Sequence, residues 1–232
     1  MFVLNLKSPL LIKILKILTQ IRFGAYNNIV MRNSYVWKSS LRLHHNQLIA
    51  RKSTISSSRI DMEGHGNCVE INGGGFYKTD VKIVGRNNIM ISNNAKLNFV
   101  KIIIRGNNCK VEIGEETTIG GAHMVCMGVD NSIVVGKDCM FSDGIEIWNT
   151  DTHPIFNDTG EIINESRPIV IGNHVWACKG TTILKGVKIG DNSIIGMNSL
   201  VTKDVQANTL NVGSPCREIK KGINWSRSFI DK

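Results

Sequence analysis

Residues 169–205 read IVIGNHVWACKGTTILKGVKIGDNSIIGMNSLVTKDV, and this stretch decides the fold. Every sixth residue of it is apolar, in the series Ile171, Ala177, Ile183, Ile189, Ile195 and Val201. Four residues after each of these comes a small or β-branched residue: Val175, Thr181, Val187, Ser193, Ser199 and Val205. Neither a helix nor a half-buried strand has a period of six. The pattern predicts a parallel β-helix, an all-β solenoid in which about three repeats make one triangular coil.

The repeat continues upstream of this stretch in a less regular form. Counting back from Ile171 in steps of six, the series includes Val135, Phe141, Ile147 and His153. A second series of every sixth residue, in a different phase, contains Ile113, Ile119 and Val125. Gly-Asn corners recur every 19 to 22 residues from Gly66, close to one coil of three repeats. We therefore expect the β-helix to span residues 61–205. Residues 154–170 contain Pro, Asn, Asp and Gly, which favours a loop ejected between coils.

Charge divides the chain at about residue 60. Residues 1–60 hold ten Lys or Arg and no acidic residue, whereas residues 61–232 hold 18 basic and 19 acidic residues. The net charge of +9 is therefore +10 from the first segment and −1 from the rest. The positive charge belongs to a leader and not to the solenoid, and no nucleic-acid partner is expected. Residues 206–232 leave the repeat and should form a short C-terminal tail.

The leader contains a predicted amphipathic helix. Ser8 and Pro9 resemble an N-cap and a first helical residue, and LLIKILKILTQI follows them. The run is too short and too charged to span a bilayer, and it lacks the cleavage site of a secretion signal. Two interpretations stay open: the helix lies on an anionic membrane surface, or it caps the open end of the solenoid.

The six cysteines do not suggest a disulfide framework or a metal site. None forms a CxxC pair, and no metal-finger spacing occurs. Buried thiols in a reducing cytosol are the expected state. Cys139 and Cys178 are candidates for a thiol nucleophile. No activating partner is visible in the sequence, so a structural role is favoured for both.

His153 is the candidate catalytic base. It lies in EIWNTDTHPI, at a frame position where an apolar residue should point inward, and a neutral histidine accepts a proton near pH 7. Asp151 and Glu146 are near enough in sequence to orient it, and the sequence does not distinguish between them. A histidine that merely satisfies a corner carbonyl group is the alternative.

Three segments carry a resemblance to a known family: VGKDCMFSDGIEIWNTDTHPI, IGNHVWACKGTTILKGVKIGDNSIIGMNSLVTKDV and VGSPCREI. They resemble the left-handed β-helix acyltransferases, and are most similar to bacterial O-acetyltransferases of capsular polysaccharide and lipopolysaccharide, including those of polysialic-acid capsules. The resemblance covers residues 133–227. It implies a left-handed β-helix, a homotrimer with active sites between subunits, and acetyl-CoA as co-substrate.

The resemblance also implies residue roles. His153 becomes the general base that acts on a glycan hydroxyl, and Trp176 lines the acetyl and acceptor pocket. The residues implied to contact CoA are Trp176, Lys179, Met197, Thr202, Lys203, Arg217 and Lys220, of which the last two would reach the nucleotide phosphates. The chain departs from the family pattern at four places: Cys178 and Met197 replace small residues, Lys185 replaces a proline, and SPCR stands for NPAK.

The expected function is therefore acetyl transfer from acetyl-CoA to a sugar hydroxyl of a bacterial surface polysaccharide, without a metal. The expected location is the cytoplasm, with peripheral contact at the inner face of the inner membrane through the leader. Three alternatives remain: an N-acyltransferase of a nucleotide-linked amino sugar, a metalloenzyme resembling the γ-class carbonic anhydrases that would need His123, His153 and His174 to converge, and a non-catalytic binding solenoid.

Overall fold

A computed structural model describes residues 20–23 and 28–230 of the protein. This part of the chain contains 27 β-strands and no α-helix. The first strands in chain order are β1 (Gln20–Phe23), β2 (Asn28–Arg32), β3 (Tyr35–Trp37), β4 (Ser40–Leu43), β5 (Gln47–Arg51), β6 (Thr54–Ser56), β7 (Arg59–His65), β8 (Cys68–Asn72), β9 (Gly75–Tyr77), β10 (Asp80–Arg86), β11 (Ile89–Asn93), β12 (Lys96–Asn98), β13 (Val100–Asn107) and β14 (Lys110–Ile113). The remaining strands are β15 (Thr118–Ile119), β16 (Ala122–Val129), β17 (Ser132–Val135), β18 (Met140–Phe141), β19 (Ile145–Trp148), β20 (Ile169–Ile171), β21 (Trp176–Ala177), β22 (Thr182–Leu184), β23 (Lys188–Ile189), β24 (Ile194–Ile195), β25 (Leu200–Val201), β26 (Thr209–Val212) and β27 (Arg217–Lys221).

Successive strands take successive places in three parallel sheets, so the chain winds as a triangular coil of about eight turns. The first sheet has the order β1-β4-β7-β10-β13-β16-β19-β22-β25, and the second has the order β2-β5-β8-β11-β14-β17-β20-β23. The third sheet contains β3-β6-β9-β12-β15-β18-β21-β24-β26-β27. The predicted parallel β-helix is confirmed. We name its corners by the sheets that they join.

The core is a column of aliphatic side chains that follows the predicted repeat. Ile171, Ile183 and Ile195 point inward and are almost fully buried, one from each sheet. Because strand side chains alternate in direction, their strand neighbours Val170, Thr182 and Ile194 face outward. The same packing repeats from coil to coil, as expected for a solenoid in which each coil covers the next.

Left-handed backbone and stacked asparagines form the corners of the early coils. Asn67 and Asn88 are buried at the first–second corner, where the Asn88 amide nitrogen donates to Asn67 Oδ1 at 3.0 Å. At Gly85, which has φ of 126°, a β-carbon would lie 1.8 Å from the carbonyl oxygen of Gly106. Only glycine fits that approach, which explains the recurring Gly-Asn pairs.

The coils begin before residue 61, earlier than the sequence predicts. Strands β2 to β6 already occupy the three sheets, and Leu41 and Leu48 are buried in the core. The early corners use stacked hydroxyl groups: the Ser58 amide nitrogen donates to Ser39 Oγ at 3.1 Å. The six-residue frame does not detect these coils, because the spacing between paired strands is not a multiple of six there. Paired positions such as Ile60 and Val81 are farther apart along the chain than Ile171 and Ile189 in the late coils.

The other boundaries shift by a few residues. The loop between β19 and β20 comprises residues 149–168, not 154–170. The expected tail partly rejoins the solenoid, because β26 pairs parallel to β24 and β27 pairs antiparallel to β26. The predicted amphipathic helix lies outside the described residues. Within the described residues no helix is long and apolar enough to cross a membrane.

Candidate active site

His153 lies in the loop at the first–second corner, exposed to solvent. The six-residue repeat predicted that position 153 would point into the core, and this prediction was wrong. Val135 pairs with Ile171, and Ile171 pairs with Ile189, so the coil that contains His153 is twice as long as the coil after it. The loop adds a number of residues that is a multiple of six. The six-residue repeat therefore continues in the same phase after the loop, although the loop itself is not part of the coil. Exposure suits a residue that must reach a substrate.

The loop around His153 encloses an open cavity of about 420 Å³. His153, Pro154 and Asn164 line it together with Gly128 and Val129 of the preceding coil. The tip of the loop is a short hairpin with an antiparallel bridge between Phe156 and Ile162. Four apolar side chains of this hairpin are exposed: Ile155, Phe156, Ile162 and Ile163. The cavity thus combines a histidine with the apolar side chains of Val129 and Ile162, and the other exposed apolar side chains lie on the hairpin beside it.

Asp151 holds the base of this loop in place. Its carboxylate forms an ion pair with Lys185 and accepts a hydrogen bond from Asn164 Nδ2 at 2.9 Å. Its carbonyl oxygen accepts the His153 N–H at 2.8 Å. The hydrogen bond from Lys185 lowers the pKa of Asp151. Partial burial raises this pKa, and the hydrogen bond from Asn164 lowers it further. Asp151 therefore positions His153 through the backbone turn, with its carboxylate engaged elsewhere.

Two residues that sequence reasoning missed complete this arrangement. Asn164 Nδ2 also donates to the carbonyl oxygen of His153 at 2.9 Å, and Asn164 Oδ1 accepts the Ile155 N–H at 2.7 Å. Lys185 Nζ donates to the carbonyl oxygen of Asn164 at 2.9 Å. The signal in the sequence was Lys185 itself, which occupies a corner where the similar family has proline.

Glu146 belongs to a different cluster, on the outer face of the first sheet. Its Oε2 lies 3.3 Å from His123 Nδ1 and accepts the Trp148 Nε1–H at 2.6 Å. The imidazole of His123 packs edge-on against Trp148, with ring centroids 5.2 Å apart. Burial lowers the pKa of His123, and the charge of Glu146 opposes this. The carboxylate of Glu146 is thus directed to His123 and not toward the His153 loop.

Trp176 lies at the start of β21 in the third sheet and is half-buried. Trp225 packs against it from the C-terminal segment, with the ring centroids 5.9 Å apart and the planes tilted by 45°. His174, at the preceding corner, stacks on the Trp225 ring with centroids 4.1 Å apart. Sequence reasoning considered His174 only for the metalloenzyme alternative and did not consider Trp225, which is 51 residues away along the chain.

The residues implied to contact CoA occupy separate parts of the surface. Lys179 and Met197 lie at the third–first corner, where Lys179 Nζ pairs with Asp143 at 3.2 Å. Thr202 and Lys203 lie at the first–second corner, one coil beyond Lys185. Arg217 and Lys220 lie on β27, at the edge of the third sheet. All six are exposed.

These residues form two groups on opposite sides of the shaft. The first–second corner carries His153, Lys185, Thr202 and Lys203. The third sheet, its edge strand and its corner with the first sheet carry the other group: Trp176, Lys179, Met197, Arg217 and Lys220. In a triangular coil the first–second corner lies across the shaft from the third sheet. One chain therefore does not bring His153 and Trp176 together.

Neither Cys139 nor Cys178 is activated as a nucleophile, and no metal cluster is apparent in the described part of the chain. Burial raises the pKa of Cys139 to about 11, and burial also raises the pKa of Cys178. Both thiols are therefore protonated near neutral pH, which disfavours them as nucleophiles. Among the described residues, no group of three or more His, Cys, Asp or Glu side chains is arranged to hold a metal ion.

Comparison with known proteins shows similarity to bacterial acetyltransferases that contain hexapeptide repeats. The family "Bacterial transferase hexapeptide (six repeats)" matches residues 168–203. A polysialic acid O-acetyltransferase of Neisseria meningitidis is 36% identical over 131 residues, which cover 47% of this chain and 60% of that protein. The chain thus spans about three fifths of the length of this relative.

Two solved structures share most of the fold. The polysialic-acid-specific acetyltransferase NeuO has a TM-score of 0.72 and 27% sequence identity, over 91% of this chain and 87% of that one. The polysialic acid O-acetyltransferase OatWY has a TM-score of 0.71 and 29% identity, over 84% of this chain and 92% of that one. In its repeats, its fold and these relatives, the chain is similar to the hexapeptide-repeat acyltransferases.

Proposed function

We propose that the protein is an O-acetyltransferase that transfers acetyl from acetyl-CoA to a hydroxyl group of a bacterial capsular or related surface polysaccharide. The observation that carries the proposal is the exposed His153 on a loop braced by Asp151, Asn164 and Lys185. The names of the relatives point to the same reaction and to an acidic glycan as acceptor.

The chemistry needs one base and two substrates in one cleft. The imidazole of His153 takes the proton from the acceptor hydroxyl group while the oxygen of that hydroxyl group attacks the carbonyl carbon of the thioester. The tetrahedral intermediate collapses, the C–S bond breaks, and the CoA thiolate takes the proton from the imidazolium. A positioned base contributes about 10²- to 10⁴-fold to such a step. Direct transfer needs no covalent acyl-enzyme if both substrates are held together.

The site is completed between two copies of the chain, in a homotrimer. The loop that carries His153 meets the third sheet of a neighbouring copy, which carries Trp176. Acetyl-CoA lies in that cleft along the shaft. Thr202 and Lys203 flank it from one copy, while Lys179, Arg217 and Lys220 provide cations for its phosphates from the other. Trp176 offers an apolar face for a sugar ring or the acetyl group.

The decisive experiment measures release of free CoA thiol with three sets of acceptors: capsular or O-antigen oligosaccharides, nucleotide-linked amino sugars, and small amine or alcohol antibiotics. We expect release with a glycan, and we expect His153→Ala to lower kcat by about 10² or more while acetyl-CoA still binds. Release with the second or third set and with no glycan would refute the proposed substrate class. Light scattering should give about three times 25.7 kDa.

The leader is proposed to hold the enzyme in the cytoplasm at the inner face of the inner membrane. The support is the composition of residues 1–19, which hold three basic residues, an apolar run and no acidic residue. Residues 20–60, whose described part forms the first coils, hold seven more basic residues and no acidic one. Each Lys or Arg near an anionic bilayer contributes about 1 kcal/mol of attraction, which salt weakens. An acceptor built on a lipid carrier would be met there.

A further inference from the structure

The C-terminal segment runs back along the shaft as a strap. After β27 the chain returns to the second–third corner, where the Ile223 N–H donates to the carbonyl oxygen of Asn208 at 3.1 Å. From there residues 222–228, here called the strap, pass over successive corners of the preceding coils. They reach Glu116, which is 111 residues before Arg227 in the chain. The strap adds no strand to any sheet, so its position depends on its side chains.

Trp225 is the first anchor of the strap and is 8% exposed. Its ring stacks on the imidazole of His174, with centroids 4.1 Å apart and planes within 10° of parallel. Trp225 Nε1 donates to the carbonyl oxygen of His174 at 2.7 Å, and His174 Nε2 lies 3.0 Å from the carbonyl oxygen of Trp225. His174 Nδ1 lies 2.7 Å from Asp138 Oδ2. The two residues thus hold each other by stacking, by the hydrogen bond from Trp225 Nε1 and by the close approach of the His174 ring to the Trp225 carbonyl group.

Arg227 is the second anchor. Its Nε donates to Asp138 Oδ1 at 2.8 Å and one terminal nitrogen donates to Thr118 Oγ1 at 2.8 Å. The other terminal nitrogen donates to the carbonyl oxygens of Cys139, at 2.9 Å, and Glu116, at 3.2 Å. A planar guanidinium with fixed donors suits such a set of acceptors better than an ammonium group does. Asp138 links both anchors, because it accepts from Arg227 and from His174.

The strap passes beside Trp176 because that residue opens its strand next to the second–third corner. The Trp225 ring fills the space between His174 and Trp176, with its centroid 5.9 Å from that of Trp176. Tilted aromatic pairs at this distance restrict each other's orientation. The two rings come from segments that share no strand pairing, so it is the strap that brings the Trp225 ring to Trp176.

We propose that Trp225 is a positioning residue for Trp176 and that the Asp138–His174–Arg227 cluster holds it there. The strap thereby sets the orientation of the indole face that meets the acceptor. This inference rests on the proposed function, in which Trp176 lines the acceptor pocket. It assigns a role to residues 222–228 that neither the repeats nor β27 requires, since the sheets are complete without them.

The test that does not depend on activity is fluorine NMR of the full chain labelled with 5-fluorotryptophan. The chain has four tryptophans, Trp37, Trp148, Trp176 and Trp225, and single Trp→Phe variants assign their resonances. In Arg227→Ala the resonances of Trp225 and Trp176 should shift or broaden, while those of Trp37 and Trp148 stay in place. An unchanged Trp176 resonance would overturn the proposal. If all four change, the fold has been disturbed, and the milder Arg227→Lys variant decides by the same criterion.

The kinetic test separates positioning from folding. We expect Arg227→Ala to raise the KM for the glycan acceptor about tenfold, while the KM for acetyl-CoA stays within about twofold, and Arg227→Lys to restore part of the loss. Phe229→Ala is the matched control, because Phe229 follows the strap and is 93% exposed. Equal changes for both substrates, or none, would refute the positioning role. If the wild type transfers acetyl to no acceptor, the proposed function fails, and the NMR experiment still decides whether the strap positions Trp176.

Discussion

Asp151 and Lys185 form an ion pair that ties the His153 loop to the next coil of the solenoid. They are 34 residues apart in the chain, and the ammonium group of Lys185 also binds the carbonyl oxygen of Asn164. The side chain of Lys185 is only 15% exposed. Lys185, which the resemblance marks as a departure from the family pattern, therefore has a specific use in this chain, which is to brace the loop that carries His153.

Replacement of Lys185 should reduce activity without unfolding the protein. In Lys185→Ala the carboxylate of Asp151 loses its cation and the His153 turn loosens, so we expect kcat to fall about tenfold with the KM for acetyl-CoA unchanged. Lys185→Arg should retain more activity than Lys185→Ala. Lys188→Ala is the control, since Lys188 is an exposed cation close by in the chain. Equal activity in Lys185→Ala and Lys188→Ala would show that the pair has no role.

The ion pair also predicts a pH dependence of stability. The hydrogen bond from Lys185 lowers the pKa of Asp151 below its ordinary value of 3.8. The pair therefore stabilises the folded chain above about pH 4, and this stabilisation is lost as the pH falls through the lowered pKa. The side chain of Asp151 is 42% exposed, so solvent screening keeps the effect small.

Calorimetry of the wild type and of Asp151→Asn at several pH values would measure how much the Asp151–Lys185 pair stabilises the folded chain. We expect the wild type to melt about 1 to 3 °C higher near pH 7. The difference should shrink steadily as the pH is lowered from about 4 through the lowered pKa of Asp151, because the carboxylate becomes protonated there. A difference that stays constant over this range would mean that the carboxylate charge is not what stabilises the turn.

The exposed apolar side chains of the hairpin beside the cavity should contribute to acceptor binding. Phe156 is 57% exposed and Ile162 is 53% exposed, yet both belong to an ordered hairpin beside His153. Phe156→Ser combined with Ile162→Ser should raise the acceptor KM about tenfold and change the melting temperature little, since exposed substitutions rarely affect stability by more than about 0.5 kcal/mol. Michaelis kinetics with a fixed oligosaccharide measure this. An unchanged acceptor KM would place the acceptor elsewhere.

The fold could be predicted from sequence because a solenoid is held together by local repeats. Each inward aliphatic residue, such as Ile183, packs on its equivalents one coil away, so the period is visible along the chain. The early coils were missed because the spacing of their paired positions, as between Ile60 and Val81, does not keep the frame of six. Their corners use Ser39 and Ser58, which a search for apolar periodicity does not detect.

The candidate site was only half predictable. His153 and Trp176 could be named from the resemblance, but their partners depend on contacts between distant residues. Lys185 reaches back across an inserted loop, and Trp225 reaches back 51 residues to His174. No periodicity connects such pairs. Glu146 illustrates the same limit, since nearness in sequence suggested His153 while the strand register places Glu146 beside His123.

A shared active site predicts complementation between two inactive variants. His153→Ala and Trp176→Ala should each lose most activity alone. Co-expressed in equal amounts, they should assemble at random into mixed trimers in which a site that takes one residue from each of two copies is intact in about one quarter of cases. Thiol release by the purified mixture, relative to the wild type, measures this fraction. If each site lies within one chain, the mixture stays inactive.

Membrane attachment can be tested by a deletion placed according to the strand pairing. Gln20–Phe23 forms β1, which pairs in register with Ser40–Leu43 of the next coil, so a deletion should end at residue 19 and leave β1 intact. We expect the shortened protein to lose sedimentation with anionic vesicles but to keep its activity on soluble oligosaccharides. The expected loss follows from removing Lys7, Lys13 and Lys16 together with the apolar run. Wild-type binding should weaken as salt rises and should be absent with neutral vesicles. If the deletion instead gives insoluble or inactive protein, residues 1–19 cap the solenoid and the membrane role is refuted.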